Sequence, residues 1–145
     1  MNQKDYSSSI TANVSANAAF KGICRVSEWW VKNTEGSTQN LNDVFIIRFS
    51  ADAYVTFKIT EMVADKKIVW QVTDCYLPFL KDKTEWTNTK VVFKISDKND
   101  ATKIDFTHIG IVPGVECYDM CVKGWDQYFK DSLLQLLTEN KGKPS

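Results

Sequence analysis

Residues 90–109 read KVVFKISDKNDATKIDFTHI, and polar and apolar side chains alternate on both sides of the central pair Asn99 and Asp100. Such alternation is typical of β-strands that bury one of their two faces. If both apolar faces lie on the same side of a sheet, three inward pairs result: Val91 with His108, Phe93 with Phe106, and Ile95 with Ile104. This register leaves Asn99 and Asp100 as a two-residue turn, and both residue types tolerate the left-handed backbone of such turns. The stretch therefore predicts an antiparallel hairpin.

Alternating segments continue on the N-terminal side of this hairpin. Apolar residues at Ile10, Ala12 and Val14 are separated by polar ones, which predicts a first strand with one buried face. The two strands of the hairpin and three strands before them are expected at residues 44–50, 53–63, 67–75, 84–96 and 102–111. Their connections are short enough for hairpins. The sequence therefore predicts an antiparallel sheet of about six strands.

Two short helices are expected between the first and second strands. Ser15 is in position to cap a helix whose apolar residues recur at intervals of three and four: Ala19, Phe20, Ile23 and Cys24. Helical structure is expected to continue towards Trp29 and Trp30. The polar residues 33–43 are expected to form a loop.

A long C-terminal helix is predicted from residue 114 onward. Its apolar positions recur at helical spacing and form one stripe: Cys117, Cys121, Trp125, Phe129, Leu133 and Leu136. A stripe of this length needs a surface as large as a sheet to cover it. Gly124 within the helix indicates either a bend or a close approach to a strand. The order of elements predicts an α+β domain, with any function in the apolar space between sheet and helix.

The composition is that of one globular domain over residues 1–145, with frayed tails expected at 1–6 and 140–145. The chain is 43% hydrophobic and 12% aromatic, which indicates a core of large flat side chains. Eighteen basic residues balance 18 acidic ones, so no net charge attracts nucleic acid. No segment has the pattern of a signal peptide or a membrane span. Four cysteines are too few for a disulfide scaffold, and the sequence predicts a cytoplasmic protein.

A set of local motifs extends over residues 8–138: Glu28-Trp29-Trp30, Glu85-Trp86-Thr87-Asn88-Thr89 before Val91-Val92-Phe93, Thr107-His108-Ile109-Gly110, and Gly124-Trp125 followed by Leu133 and Leu136. They resemble the START/polyketide-cyclase (SRPBCC, Bet v 1-like) superfamily, in its branch of activator of heat-shock-protein-90 ATPase homologues. Asn88 stands where relatives often carry glycine. The resemblance implies the helix-grip fold, in which a curved antiparallel sheet wraps a long C-terminal helix and encloses a cavity. Relatives include lipid carriers, hormone-binding proteins, cyclases and a co-chaperone domain, so it implies no single activity.

The candidate ligand site lies in this space between sheet and helix. Nine side chains are predicted to line it: Phe57, Trp70, Thr89, Val91, Phe93, Phe106, His108, Cys121 and Trp125. Thr89 and His108 would form a polar end, unless this end of the strand simply leaves the core. Such a cavity suits a small apolar or amphipathic ligand with its head group at the polar end. The first functional hypothesis is therefore binding or carriage of such a ligand, without a cofactor.

His108, the only histidine, is the candidate for acid–base chemistry. A cyclase or hydrolase that uses His108 is therefore one alternative function, and a hydrogen-bonded core histidine is the simpler interpretation. Cys117 and Cys121 could join His108 at a metal, but zinc sites usually have closer cysteine pairs and a fourth ligand. We predict no metal site.

The apolar segment 75–80 is unusual for a connection between strands. It is expected either to cover a pocket as a lid or to pack back onto the core. A second alternative function, a protein-interaction module with a chaperone as its partner, is implied only by the family resemblance.

Overall fold

The computed structural model describes residues 5–78, 80–116 and 118–144. Its strands and first helices are β1 (Tyr6–Ala12), α1 (Ala16–Cys24), α2 (Val26–Trp29), β2 (Thr34–Gly36), β3 (Val44–Arg48), β4 (Tyr54–Val63), β5 (Lys67–Tyr76), β6 (Lys90–Lys98) and β7 (Ala101–Ile109). The C-terminal helix spans residues 118–139 and consists of α3 (Tyr118–Trp125), a π-helical segment (Asp126–Leu133) and α4 (Leu134–Glu139).

The seven strands among the described residues form one antiparallel sheet in the order β1-β7-β6-β5-β4-β3-β2. The predicted hairpin is β6 and β7, and all three inward pairs have the predicted register. Lys98 pairs with Ala101, so Asn99 and Asp100 form the turn, and Asn99 has a left-handed backbone with φ of 57°. The prediction of an α+β fold with an antiparallel sheet and a C-terminal helix is confirmed.

Both edges of the sheet differ from the prediction. The expected loop at residues 33–43 contains the edge strand β2, which pairs with β3 over only three residues. This strand is too short and too polar to show an alternating pattern. At the other edge, β1 begins at Tyr6 and ends before Val14. Tyr6 is buried and donates a hydrogen bond from its hydroxyl to Asp126 Oδ1 at 2.7 Å, so this residue does not belong to a frayed tail.

Strand β6 also starts later than predicted, at Lys90 instead of residue 84. Residues 84–88 form turns, and Asn88 has a left-handed backbone with φ of 73°. Asparagine tolerates this conformation better than most other residues, which explains how it can stand at a position where glycine is common. The Asn88 N–H donates to the Val72 carbonyl oxygen, and the Val72 N–H donates to that of Thr89, both at 2.9 Å.

The centre of the space between sheet and helix is filled by aromatic side chains. Trp70 on β5 packs against rings from the early helices and from neighbouring strands: Trp29, Trp30, Phe45, Phe57 and Phe93. On the helix side, Phe129 packs against Phe106 with ring centroids 4.8 Å apart. These rings bury large apolar areas and contribute much of the hydrophobic stabilisation. Aromatic rings therefore occupy the centre of the space in which the sequence predicts a ligand cavity.

The early helices close one end of this core. The predicted cap is present, because Ser15 Oγ accepts a hydrogen bond from the Ala18 N–H at 3.1 Å. Gly22 on α1 lies against α4, where an added β-carbon would come within 2.4 Å of the Leu137 side chain. Gly22 therefore permits a close approach between α1 and α4. Of the two interpretations of Gly124, a bend or a close approach to a strand, the second is excluded, because no atom beyond its own helical neighbourhood lies within 4 Å of where a β-carbon would stand.

The chain after the C-terminal helix stays close to it. Asn140 ends the helix with a left-handed backbone, φ 59°. The N–H of Lys143 then donates to Ser132 Oγ at 2.7 Å. Frayed structure was predicted for residues 140–145, and this bond holds Lys143 against the helix.

Candidate functional site

An open pocket lies beside the packed core, where the start of the C-terminal helix faces two connections of the sheet. Its volume is about 220 Å³. Four of its lining side chains come from outside the C-terminal helix: Trp30, Phe49, Leu77 and Trp86. Two further aromatic rings, Trp125 and Tyr128, come from that helix. Met120, Cys121 and Gly124 of α3 complete the lining, and we call the whole site the aromatic pocket.

Each wall of the aromatic pocket is placed by a different element. Trp30 follows α2, Phe49 follows β3, and Leu77 follows β5. Trp86 belongs to the turns that precede β6. Tyr128 lies in the π-helical segment, a geometry that recurs at functional sites because it shifts side chains away from their α-helical positions.

Gly124 creates the free volume on the helical side. Gly124 has no side chain, and no atom beyond its own helical neighbourhood lies within 4 Å of where a β-carbon would stand, so the helix backbone itself borders the pocket. Phe49 and Met120 are 39% and 53% exposed, which is high for such apolar side chains. The pocket is thus an accessible and almost entirely apolar surface.

His108 lies beneath the pocket and is fully buried. Its Nε2 lies 2.9 Å from Thr89 Oγ1, which donates its own hydrogen to the Trp86 carbonyl oxygen at 2.6 Å. The threonine oxygen must therefore accept a hydrogen from Nε2 of His108. The other ring nitrogen, Nδ1, accepts a hydrogen bond from Trp125 Nε1 at 3.1 Å. These bonds fix a neutral imidazole with its proton on Nε2.

This environment removes His108 as an acid–base group at neutral pH. Burial lowers the pKa of His108 to about 3, because the charged imidazolium would lose its hydration. Protonation of Nδ1 would also place two N–H groups against each other and break the hydrogen bond from Trp125. The histidine instead connects Trp86 and Trp125, two walls of the aromatic pocket, and its ring packs edge-on against Trp86 at a centroid distance of 4.7 Å. The geometry does not support a cyclase or hydrolase mechanism with His108 as the catalytic group.

Two carboxylates connect the pocket walls on the solvent side. The Glu116 carboxylate accepts hydrogen bonds from the backbone N–H of Lys81, at 2.9 and 3.0 Å, and more weakly from that of Asp82. The Glu116 N–H donates in return to Glu85 Oε1 at 2.8 Å. These bonds, which we call the carboxylate clasp, join the β5–β6 connection to the segment before α3.

A second cavity, of about 550 Å³, adjoins the aromatic pocket. Phe49 and Tyr128 line both. The other lining residues of the second cavity are Val31, Lys32, Asn33, Arg48, Ser50 and Ala51. Among the described residues of its lining, Lys32 and Arg48 are the charged ones, so we call it the basic groove.

The cysteines do not form a metal site among the described residues. No group of three histidine, cysteine, aspartate or glutamate side chains there could hold a metal ion. Cys24 and Cys75 are free and buried, and burial raises the pKa of the Cys24 thiol to about 11. Cys121 is disulfide-bonded. Cys117 lies outside the described residues.

The sequence profile of the family described as Activator of Hsp90 ATPase homolog 1-like protein matches residues 27–138. The chain belongs to this family. No curated protein matches its sequence. Among the described residues, no helix is long and apolar enough to cross a membrane.

Solved structures share the fold of this family member. The Aha1 dimer from Colwellia psychrerythraea has a TM-score of 0.77 and 19% identity, covering 96% of this chain and 99% of that one. Protein SSP2350 from Staphylococcus saprophyticus has a TM-score of 0.70 and 12% identity, with 97% and 96% covered. Protein MLL2253 from Mesorhizobium loti has a TM-score of 0.69 and 13% identity, with 93% and 98% covered. At these identities the similarity establishes the fold alone.

The structure separates the nine predicted site residues of this family member into three groups. Cys121 and Trp125 line the aromatic pocket. Thr89 and His108 lie behind its walls and form no polar end of the pocket. The remaining five belong to the packed core: Phe57, Trp70, Val91, Phe93 and Phe106.

Several pocket residues were missed by sequence reasoning. Leu77 belongs to the apolar segment 75–80, which was singled out as a lid or a core satellite. Leu77 and Leu80 are 1% and 3% exposed, so both pack onto the core, and Leu77 also lines the pocket. Phe79 lies outside the described residues. Gly124 and Tyr128 follow Cys121 at intervals of three and four, a helical spacing that could have identified a second face beside the core stripe.

Proposed function

We propose that this protein binds a small, largely apolar molecule in the aromatic pocket. The observation that carries the proposal is an open concave site walled by Trp30, Trp86 and Trp125, with the backbone of Gly124 facing its interior. Aromatic rings and apolar side chains with little polar lining are typical of small-molecule sites. The pocket is held by buried hydrogen bonds through His108, so its walls are set before a ligand arrives.

The volume limits the size of the ligand. An apolar cavity of about 150 Å³ admits benzene, so a pocket of about 220 Å³ suits an apolar group of one or two rings or a short branched chain. Long acyl chains would extend beyond it. The proposed role is binding or carriage of such a molecule without chemical conversion.

Indole and naphthalene are suitable first probes, titrated into ¹⁵N-labelled protein and followed by NMR. We expect saturable shifts at the Gly124 amide and at the indole N–H signals of Trp86 and Trp125. The amides of Lys90 and Lys94, on the outer face of β6, provide the internal control. The proposal fails if neither probe gives saturable shifts, or if the shifts fall on the outer face.

Family membership supports a second candidate function, an interaction with a chaperone. The family description names activation of the Hsp90 ATPase, and the similar structure from Colwellia psychrerythraea is called Aha1. We propose measuring the ATPase rate of the Hsp90 from the same organism with this protein added. An unchanged rate at saturating protein, together with no binding in a pull-down by purified Hsp90, rules out this function.

A further inference from the structure

We infer that the ligand of the aromatic pocket is an amphipathic anion whose acidic head group lies in the basic groove. The inference rests on the proposed function and specifies its ligand class.

The two cavities are adjacent and share two lining side chains. Phe49 and Tyr128 line both. The chain also passes directly from one to the other, because Trp30 lines the aromatic pocket while Val31 and Lys32 line the basic groove. A molecule with its ring against Trp30 can therefore place a substituent past Phe49 without crossing the core.

The charges of the groove favour an anion. Lys32 is exposed and takes part in no ion pair with another described residue. Arg48 pairs with Glu35, and its guanidinium also lies over the Tyr54 ring at 5.8 Å. None of the described residues that line the groove is acidic. An incoming carboxylate therefore meets the Lys32 ammonium and the partly neutralised Arg48 guanidinium.

Ser50 adds a neutral hydrogen-bond donor to these cations. In its contacts with the backbone N–H groups of Asp52 and Ala53, Ser50 Oγ is the acceptor, at 3.3 and 3.1 Å. Its hydroxyl hydrogen is not engaged in either bond and can be donated to a head group. Cationic and hydroxyl donors beside an apolar pocket complement a carboxylate on an apolar body and repel an amine.

Three probes with the same naphthalene ring test the inference: 3-(naphthalen-2-yl)propanoate, its uncharged propanamide and the corresponding primary ammonium. Binding is measured by calorimetry at low ionic strength, where surface charges are least screened. We expect the carboxylate to bind about three- to fivefold more tightly than the amide, in the range of exposed ion pairs, and the ammonium to bind more weakly than either.

Lys32→Gln should remove most of the advantage of the carboxylate over the amide. Lys90→Gln, an exposed lysine on the outer face of β6, is the matched control and should change neither affinity. Raising the salt concentration should reduce the advantage in the wild type and in Lys90→Gln alike.

Equal affinities of carboxylate and amide in the wild type overturn the inference, and so does a carboxylate advantage that survives Lys32→Gln. Both results leave the proposed function intact as long as the amide binds. If none of the three probes binds, the proposed function fails together with the inference.

Discussion

The indole Nε1–H of Trp125 donates a hydrogen bond to Nδ1 of His108 over 3.1 Å, so a wall of the aromatic pocket is fixed to strand β7 of the sheet. The other nitrogen of the imidazole, His108 Nε2, donates to Thr89 Oγ1, and the Thr89 hydroxyl in turn donates to the Trp86 carbonyl oxygen. A neutral histidine satisfies every partner in this buried chain. The only histidine of the protein thus acts on the pocket by positioning two tryptophans.

We expect His108→Gln to fold with little loss of stability at pH 8, and His108→Leu to lose about 2–4 kcal/mol. The glutamine side chain offers an N–H for Thr89 and an oxygen for Trp125, whereas leucine leaves the Trp125 donor without its partner in the interior. Urea unfolding of both variants measures the difference. Equal losses would show that the hydrogen bonds of His108 contribute little.

The same variants test the pKa of His108. Its folded-state pKa of about 3 lies below the unfolded value of about 6.5, so the unfolded chain binds the proton first as the pH falls. The contribution to stability is complete above pH 6.5 and decreases towards pH 3. We expect the wild type to lose about 2 kcal/mol more than His108→Gln between pH 8 and pH 5. Parallel pH profiles of the two proteins would contradict the buried neutral histidine.

The sequence predicts this part of the molecule because paired strands constrain each other. Alternation in two adjacent strands and the turn at Asn99 independently specify one register, and that register places His108 opposite Val91. The pocket was not predictable in the same way. Its walls come from connections and from a π-helical segment, where side-chain direction depends on local backbone geometry that periodicity does not encode.

The predicted cavity was misplaced for a related reason. Periodicity identifies which side chains face inward, but it does not show whether large inward rings leave space between them. Trp29 and Trp30 of the early helices pack against Trp70, with ring centroids 6.4 and 6.2 Å apart, and fill the centre. The free volume lies where Gly124 leaves the helix surface bare.

Glu116→Ala should loosen the carboxylate clasp without unfolding the protein. The variant removes the acceptor for the N–H groups of Lys81 and Asp82, and Glu116 is an exposed residue. We expect faster hydrogen exchange at these two amides while the amides of β6 and β7 keep their protection. Glu139→Ala, at the end of α4, is the matched control. Unchanged exchange at Lys81 and Asp82 would show that the clasp does not hold the connection.

Substitutions at Asn88 test why asparagine is tolerated at a position with a left-handed backbone. We expect Asn88→Gly to change the free energy of unfolding by less than about 0.5 kcal/mol and Asn88→Ala to cost about 1 kcal/mol. Alanine keeps the β-carbon but lacks the short polar side chain with which asparagine tolerates φ of 73°. Asn13→Ala, at an exposed position without positive φ, serves as the control. Similar stability of the alanine and glycine variants at position 88 would place the backbone in another conformation.

Two substitutions at Gly124 test the stability of the helix and the ligand capacity of the pocket independently. Gly124→Ala should stabilise the protein by about 0.5–1 kcal/mol, because alanine favours the helix and its β-carbon meets no atom within 4 Å. Gly124→Leu should fold as well but occupy the aromatic pocket, and we expect it to weaken naphthalene binding at least tenfold. Lys123→Leu adds the same side chain on the neighbouring exposed position and controls for helix propensity and surface hydrophobicity. Undiminished binding by a folded Gly124→Leu variant would show that the ligand binds elsewhere. Loss of binding in Lys123→Leu as well would indicate a change in the helix instead of a filled pocket.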